Sequence, residues 1–224
     1  MVAQADNLRW TECGLQAGLR KMNAERESPM PVTYTNRKGK IYILCKGTTK
    51  TGKPRYYFSP DPKGEIMDQI PEGYEIRENV NGQVSLAKIR PALITKAERA
   101  AVERAVAKLP KAHKYRVDVK QKHVIVYENA APDLEEFLND LRSAFPLPYL
   151  RADKIRDLEE NLGQFSPVLR FILVDPKERT FRVERMTYTG MGGWRHLYSY
   201  SGDIKELAPK LIPTLGTDRF FELI

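Results

Sequence analysis

Between Tyr34 and Phe58, five aromatic rings (Tyr34, Tyr42, Tyr56, Tyr57, Phe58) alternate with seven bases: Arg37, Lys38, Lys40, Lys46, Lys50, Lys53 and Arg55. The whole window 31–60 contains no carboxylate. Cations neutralise phosphates and flat π-faces stack on bases, so this mixture has the chemistry of a nucleic-acid surface. A two-stranded ribbon also fits the major groove of a duplex. The sequence therefore predicts phosphate contacts from Arg37, Lys38, Lys40, Lys50, Lys53 and Arg55, and stacking from Tyr42 and Tyr57. The competing reading places the rings in a core and leaves the lysines as a solvated edge that blocks strand pairing.

Other groupings carry less chemistry. Gly47-Thr48-Thr49-Lys50-Thr51-Gly52-Lys53 has the composition of a phosphate-binding loop, but Pro54 stands where a magnesium-ligating Ser or Thr is required, and a strand follows instead of a helix. A long basic hairpin tip is the better description. Asp118-Val119-Lys120, with Pro60-Asp61 upstream, imitates a metal-dependent nuclease constellation, in which two carboxylates hold a hard cation and a lysine sits near the attacking water. Alternating charges on an exposed strand spell the same letters. His113, His123 and His196 are the only imidazoles, and none has a ligand or nucleophile partner at helical or hairpin spacing. No catalytic residue, metal site or cofactor is expected. Trp194 and Arg195, after a glycine-rich Gly190-Met191-Gly192-Gly193 stretch, are residue types that dominate protein-binding hot spots. They are the candidate partner-binding pair, against a buried tryptophan beside a tight turn.

The formal charge of +8 is partitioned unevenly along 224 residues. Residues 1–30 cancel and 31–60 carry seven bases; residues 61–87 carry two bases against six acids, and 88–122 eleven bases against three acids. Such a pattern either folds acid onto base or presents a field to a polyanion. With 42% hydrophobic and 29% charged residues the composition is that of an ordinary globular chain. No run of eighteen apolar residues exists, so no membrane span is expected. Two cysteines, Cys13 and Cys45, and no Cys-x-x-Cys make a reducing cytoplasm the expected compartment.

These residues must be positioned by strands and helices legible in the pattern. Residues 1–30 form an N-terminal extension; Met30-Pro31 is an alternative start, with residues 1–29 an over-extension of the reading frame. Residues 31–90 read as a basic β module: Val32–Thr35 and Lys40–Lys46 flank Asn36-Arg37-Lys38-Gly39, Arg55–Ser59 follows, and Tyr74–Glu78 and Gln83–Leu86 flank Asn81-Gly82, a strong hairpin signal. In Lys40–Lys46, Ile41, Ile43 and Cys45 are expected to face the core, and Tyr42, Leu44 and Lys46 a partner. Residues 91–148 form a helix/hairpin/helix unit. Thr95 and Glu98 make a capping box, Val102, Val106 and Leu109 share a face, and Tyr115–Val119 and His123–Tyr127 alternate. Pro132 opens a helix with an apolar stripe of Leu134, Phe137, Leu138 and Leu141, and Phe145-Pro146-Leu147-Pro148 marks a boundary. Residues 149–224 form a C-terminal α+β unit. It contains a short helix near Ile155–Leu162, a central strand Val168–Val174, strands Thr180–Tyr188 and Trp194–Tyr200, a helix capped by Asp203 that Pro209 must kink or split, and a last turn burying Phe220, Phe221 and Ile224. The expected class is α+β, mainly antiparallel meander and hairpins with packed amphipathic helices.

The phrasing Tyr-Thr-Asn-Arg-Lys-Gly-Lys…Gly-Lys-Pro-Arg-Tyr-Tyr-Phe-Ser…Ile-Pro-Glu-Gly-Tyr-Glu-Ile…Asn-Gly-Gln-Val, from Tyr34 to Lys88, resembles a module of uncharacterised bacterial proteins, which implies no function. Strand–turn–strand with basic tips is also similar to the arm-type DNA-binding domains of tyrosine integrases. The recombinase set Arg…His-x-x-Arg…Tyr is missing, so integrase catalysis is not implied. The sequence thus predicts a non-enzymatic nucleic-acid-binding or accessory protein. A subunit that docks a protein partner is the alternative, and a metal-dependent nuclease the third reading.

Overall fold

The computed structural model describes residues 30–131, 134–144, 151, 154–155, 157–159, 163–188 and 192–223. It is an α+β protein whose strands form three antiparallel sheets.

The first sheet grows from the predicted turn. Gly39 takes φ +73°, and the Asn36 side chain accepts from the Lys38 and Lys40 amides at 3.1 and 2.8 Å, closing β1 (Thr33–Thr35) onto β2 (Ile41–Thr48). β3 (Pro54–Ser59) pairs along one edge of β2, while β1 and the short β4 (Glu65–Ile66) share the other. Asn81-Gly82, with Gly82 at φ +79°, then turns β5 (Tyr74–Glu78) into β6 (Val84–Lys88) as a separate hairpin.

The capping box forms as the sequence requires. Thr95 accepts from the Glu98 amide, Glu98 accepts from the Thr95 amide, and α1 (Lys96–Ala107) begins there. The second large sheet has the order β11-β10-β9-β8-β7. It is built from β7 (Tyr115–Lys120), β8 (His123–Asn129), β9 (Phe165–Asp175), β10 (Thr180–Thr187) and β11 (Gly193–Gly202). The apolar run at Val168–Val174 occupies the middle strand, as continuous hydrophobicity demands. Segments 91–148 and 149–224, divided at Pro148 on sequence grounds, meet within this one sheet because β8 pairs with β9.

One face of that sheet carries Val124, Val126, Leu169, Phe171, Val183 and Leu197, all fully buried or nearly so. They form one core with Val102 and Val106 of α1 and with Ile204, Leu207 and Leu211 of α3 (Ile204–Leu211). Each such side chain contributes about 1.5–3 kcal/mol by leaving water. Between them in sequence, α2 (Leu134–Ala144) half-buries Leu134 and Leu138 but leaves Phe137 exposed. Pro132 and 145–148 lie outside the described residues, as does the side chain of Leu141. Pro209 neither splits nor ends α3. The helix continues to Leu211, held by its buried face, and then tightens into a 3-10 turn at Ile212–Thr214. In α4 (Asp218–Glu222) Phe220 is buried, but Phe221 is 71% exposed, contrary to expectation, because a single short turn can present only one of two adjacent rings inward.

The β5–β6 hairpin joins the two sheets. The Asn81 side chain donates to the Phe165 carbonyl at 3.1 Å and accepts from the Phe165 amide at 2.7 Å. Arg116 donates to the Val80 carbonyl at 2.9 Å, Arg77 donates to the Val119 carbonyl, and Val80 packs with Ile125, Tyr127 and Phe165. Asn81→Ala leaves both backbone groups of Phe165 without these partners and is expected to destabilise by about 1–3 kcal/mol, read as a shift in the urea midpoint. Burial alone would raise the carboxyl of Glu98. The Arg179 guanidinium, at 2.5 and 2.8 Å, and the Thr95 amide outweigh it and hold the group below the usual 4.5. A depressed folded value means that this stabilisation is present above pH 4.5 and is lost as pH falls through the folded value. Glu98→Gln is therefore expected to give a shallower acid limb in the stability–pH profile, measured by urea unfolding.

Candidate nucleic-acid interface

The cationic window is divided between compensated and free charge. Arg37 Nε sits 2.7 Å from Glu78 Oε1, which also accepts from the Arg37 amide at 3.1 Å, and Tyr34 donates its hydroxyl to the other oxygen at 3.0 Å. Burial alone would raise the Glu78 carboxyl, but these three donors and the Arg37 charge hold it below its usual value. Lys46 faces Glu65 at 3.2 Å. Both acids come from the 61–87 block, so part of the alternation in charge is an internal matter. Lys40, Lys50, Lys53 and Arg55 are exposed and form no ion pair with any described carboxylate.

These bases occupy opposite ends of β2. Arg37, Lys38 and Lys40 lie at the β1–β2 turn, which the Asn36 side chain fastens to the Gly82 carbonyl at 2.6 Å. Lys50, Lys53 and Arg55 lie at or beside the β2–β3 tip. Seven residue steps at ~3.4 Å separate the ends by about 24 Å. The tip is a built structure: Thr49 bonds through its amide and hydroxyl to the Lys53 carbonyl at 2.9 and 3.1 Å, its hydroxyl accepts from the Lys53 amide at 3.1 Å, and Gly52 takes φ +77°. Arg55 extends over the Tyr57 ring at 5.9 Å, and Lys40 over Tyr42 at the same distance.

The alternation in β2 is present, but coverage differs from expectation. Leu44 and its cross-strand partner Phe58 are buried on the face that meets the β5–β6 hairpin, where Tyr56 packs on Tyr74 at 6.0 Å. Tyr42 lines a groove with Phe58, Asn79 and Gln83. The face holding Ile41, Cys45, Ile66 and Tyr57 buries Cys45 yet leaves Ile41 and Ile66 58% and 50% exposed. Tyr57 and Arg55 therefore stand on the more open side, and Tyr42 on the side that the hairpin approaches.

Trp194 and Arg195 are neighbours on β11 and so project to opposite faces of the sheet. Trp194 lies beneath the Arg170 guanidinium at 4.1 Å and packs against the Val80 cluster. Arg195 is exposed on the other face. Asp118 accepts from the Val119 amide at 2.9 Å and lies 3.8 Å from Lys120. Among the described residues no three His, Cys, Asp or Glu side chains are grouped to hold a metal ion. Among the same residues no helix is long and apolar enough to cross a membrane.

Two features escaped the sequence reading. One is a cleft of about 560 Å³ lined by Arg77, Lys88, Arg90, Glu75, Val119 and Gln121, between the β5–β6 hairpin and the β7–β8 turn. The other is the face of the five-stranded sheet that looks away from α1 and α3. The registers place on it Lys120 of β7, His123 of β8, Arg170 of β9, Arg182 and Glu184 of β10, and His196 of β11. Glu184 bonds Arg170 at 2.7 Å and Arg182 at 3.1 Å, holding two guanidinium groups with one carboxylate. His123 is pushed below its usual value first by burial and then by Arg170, Lys122 and Arg182, which outweigh Glu184. The only sequence signal was Arg170, which interrupts the apolar run of β9.

The chain matches no protein-family model, and no curated protein or solved structure is significantly similar to it.

Proposed function

We propose that the protein is a non-enzymatic nucleic-acid-binding or accessory protein that holds backbone phosphates with the β2–β3 hairpin. The observation that supports this most directly is the charge at the tip: Lys50, Lys53 and Arg55 are exposed on a hydrogen-bonded hairpin and meet no described carboxylate. A two-stranded ribbon has the width that the ~12 Å major groove admits. The ~24 Å between the two ends of β2 corresponds to roughly seven base-pair steps, so Lys40 at the other end can reach phosphates of the same duplex. Arg37 is excluded from the phosphate set because Glu78 already takes its charge.

With four bases (Lys40, Lys50, Lys53, Arg55) each neutralising one phosphate, affinity for a duplex should fall about 150-fold between roughly 50 and 200 mM salt. Substituting Lys50, Lys53 and Arg55 by glutamine together is expected to reduce that to about fourfold. Fluorescence anisotropy with a labelled duplex measures both. Binding that ignores salt, or a slope unchanged in the triple variant, removes the hairpin from the interface.

A further inference from the structure

We propose that the groove between α1 and α3 binds a nucleoside monophosphate. Arg104, Lys108 and Lys205 hold its phosphate, and the aromatic base lies on an apolar floor of Ala101, Ala105, Pro209 and Pro213. The site is separate from the hairpin and does not rest on it.

Two helical stripes build the groove. Ala101, Arg104, Ala105 and Lys108 fall at i, i+3, i+4 and i+7, one face of α1 and its C-cap. Lys205, Pro209 and Pro213 recur every fourth residue along α3 and the 3-10 turn that follows it. Together they line a volume of about 270 Å³. Ala101 and Ala105 are buried, whereas Arg104, Lys108, Lys205 and both prolines are exposed. Among the described residues no carboxylate lines the groove. The three acids of the basic 88–122 segment are engaged elsewhere: Glu98 by Arg179, Glu103 by Arg99, and Asp118 beside Lys120. Arg104, Lys108 and Lys205 form no ion pair with any described carboxylate.

Two of these residues cost α3 stability. Pro209 has no N–H, so the Lys205 carbonyl loses its helical donor inside a helix that runs on to Leu211. Lys205 itself follows Asp203 and Ile204 at the amino end, where the helix dipole is positive and a cation is unfavourable. Arg104 and Lys108, by contrast, lie at the carboxyl end of α1, which favours them. Departures from local preference gather at functional sites, and both departures here border one groove. The lining also selects the ligand. Three cations match a dianionic phosphate, and a floor of two methyls and two prolyl rings matches the face of a planar ring. The volume is at the small end of ligand pockets, which suits one nucleotide and not an acyl chain. No side chain with an amide or hydroxyl lines the groove, so the base edge faces water and base identity is not read.

The test is isothermal titration calorimetry of the full chain with AMP, UMP, adenosine and ribose 5-phosphate. AMP and UMP should bind alike, and adenosine and ribose 5-phosphate about tenfold more weakly, since each lacks one half of the contact. Lys205→Gln and Arg104→Gln should each weaken AMP about tenfold. Pro209→Ala should raise the urea midpoint, by restoring the bond to the Lys205 carbonyl, and yet weaken AMP. A proline of purely structural use would not move the two in opposite directions. Displacement of AMP by a 5′-phosphorylated dT oligonucleotide names a strand end as the source of the ligand; failure to displace it names the free nucleotide. The proposal is overturned if neither AMP nor UMP binds at millimolar concentration, or if ribose 5-phosphate binds as AMP does. It is equally overturned if both glutamine variants bind AMP as the unsubstituted chain does. Duplex binding through Lys50, Lys53 and Arg55 is read separately by anisotropy, and its absence overturns the hairpin while leaving this site standing.

Discussion

The arrangement of charge in this protein depends on a pair of hydrogen bonds between one side chain and one residue's backbone. Asn81, at the tip of the β5–β6 hairpin, both donates to and accepts from Phe165 at the start of β9. Because Phe165 lies 84 positions further along the chain, this clasp orients one sheet against the other. Its surroundings reinforce it: Val80 enters an apolar cluster with Ile125, Tyr127 and Phe165, and Arg116 crosses the Phe165 ring at 4.2 Å while binding the Val80 carbonyl. Leaving any of these backbone groups without a partner would cost more than making the bond gains.

Fixing that hairpin decides the electrostatics of both sheets. Its Glu78 turns toward the first sheet, where it satisfies Arg37 and Tyr34. Its Arg77 turns the other way, toward the Val119 carbonyl and the cleft. The acidic segment therefore takes the charge of Arg37 and Lys46 and leaves Lys40 and the β2–β3 tip without a described carboxylate partner. A charge that the sequence distributes over thirty residues becomes concentrated at the two ends of a ribbon about 24 Å long.

The hairpin tip and the sheet face turned away from α1 and α3 differ in what lies against them. The hairpin tip is narrow and cationic, with Tyr57 beneath Arg55. The sheet face is broad, with Arg170 and Arg182 held by the shared Glu184 carboxylate and the β5–β6 hairpin packed over Ile125 and Tyr127. Glu184 offsets charge on both arginines, as Glu78 does on Arg37. Trp194, half-buried under Arg170, packs against the Val80 cluster and supports that face.

Local chemistry was decided by the sequence: Gly39 and Gly82 at positive φ where Asn-containing turns were expected, the Thr95–Glu98 box at the start of α1, and the middle position of the most continuously apolar strand. Each of these depends on residues within a few positions of one another. The tertiary structure alone determined which face of a strand is covered. Alternation places Ile41 opposite Tyr42 and Trp194 opposite Arg195, but the covering element comes from elsewhere in the chain, β5–β6 in the first case and α1 and α3 in the second sheet. The charged face turned away from α1 and α3 escaped notice for the same reason. Lys120, His123, Arg170, Arg182 and His196 are spread over nearly eighty positions, and only strand order and register bring them to one surface.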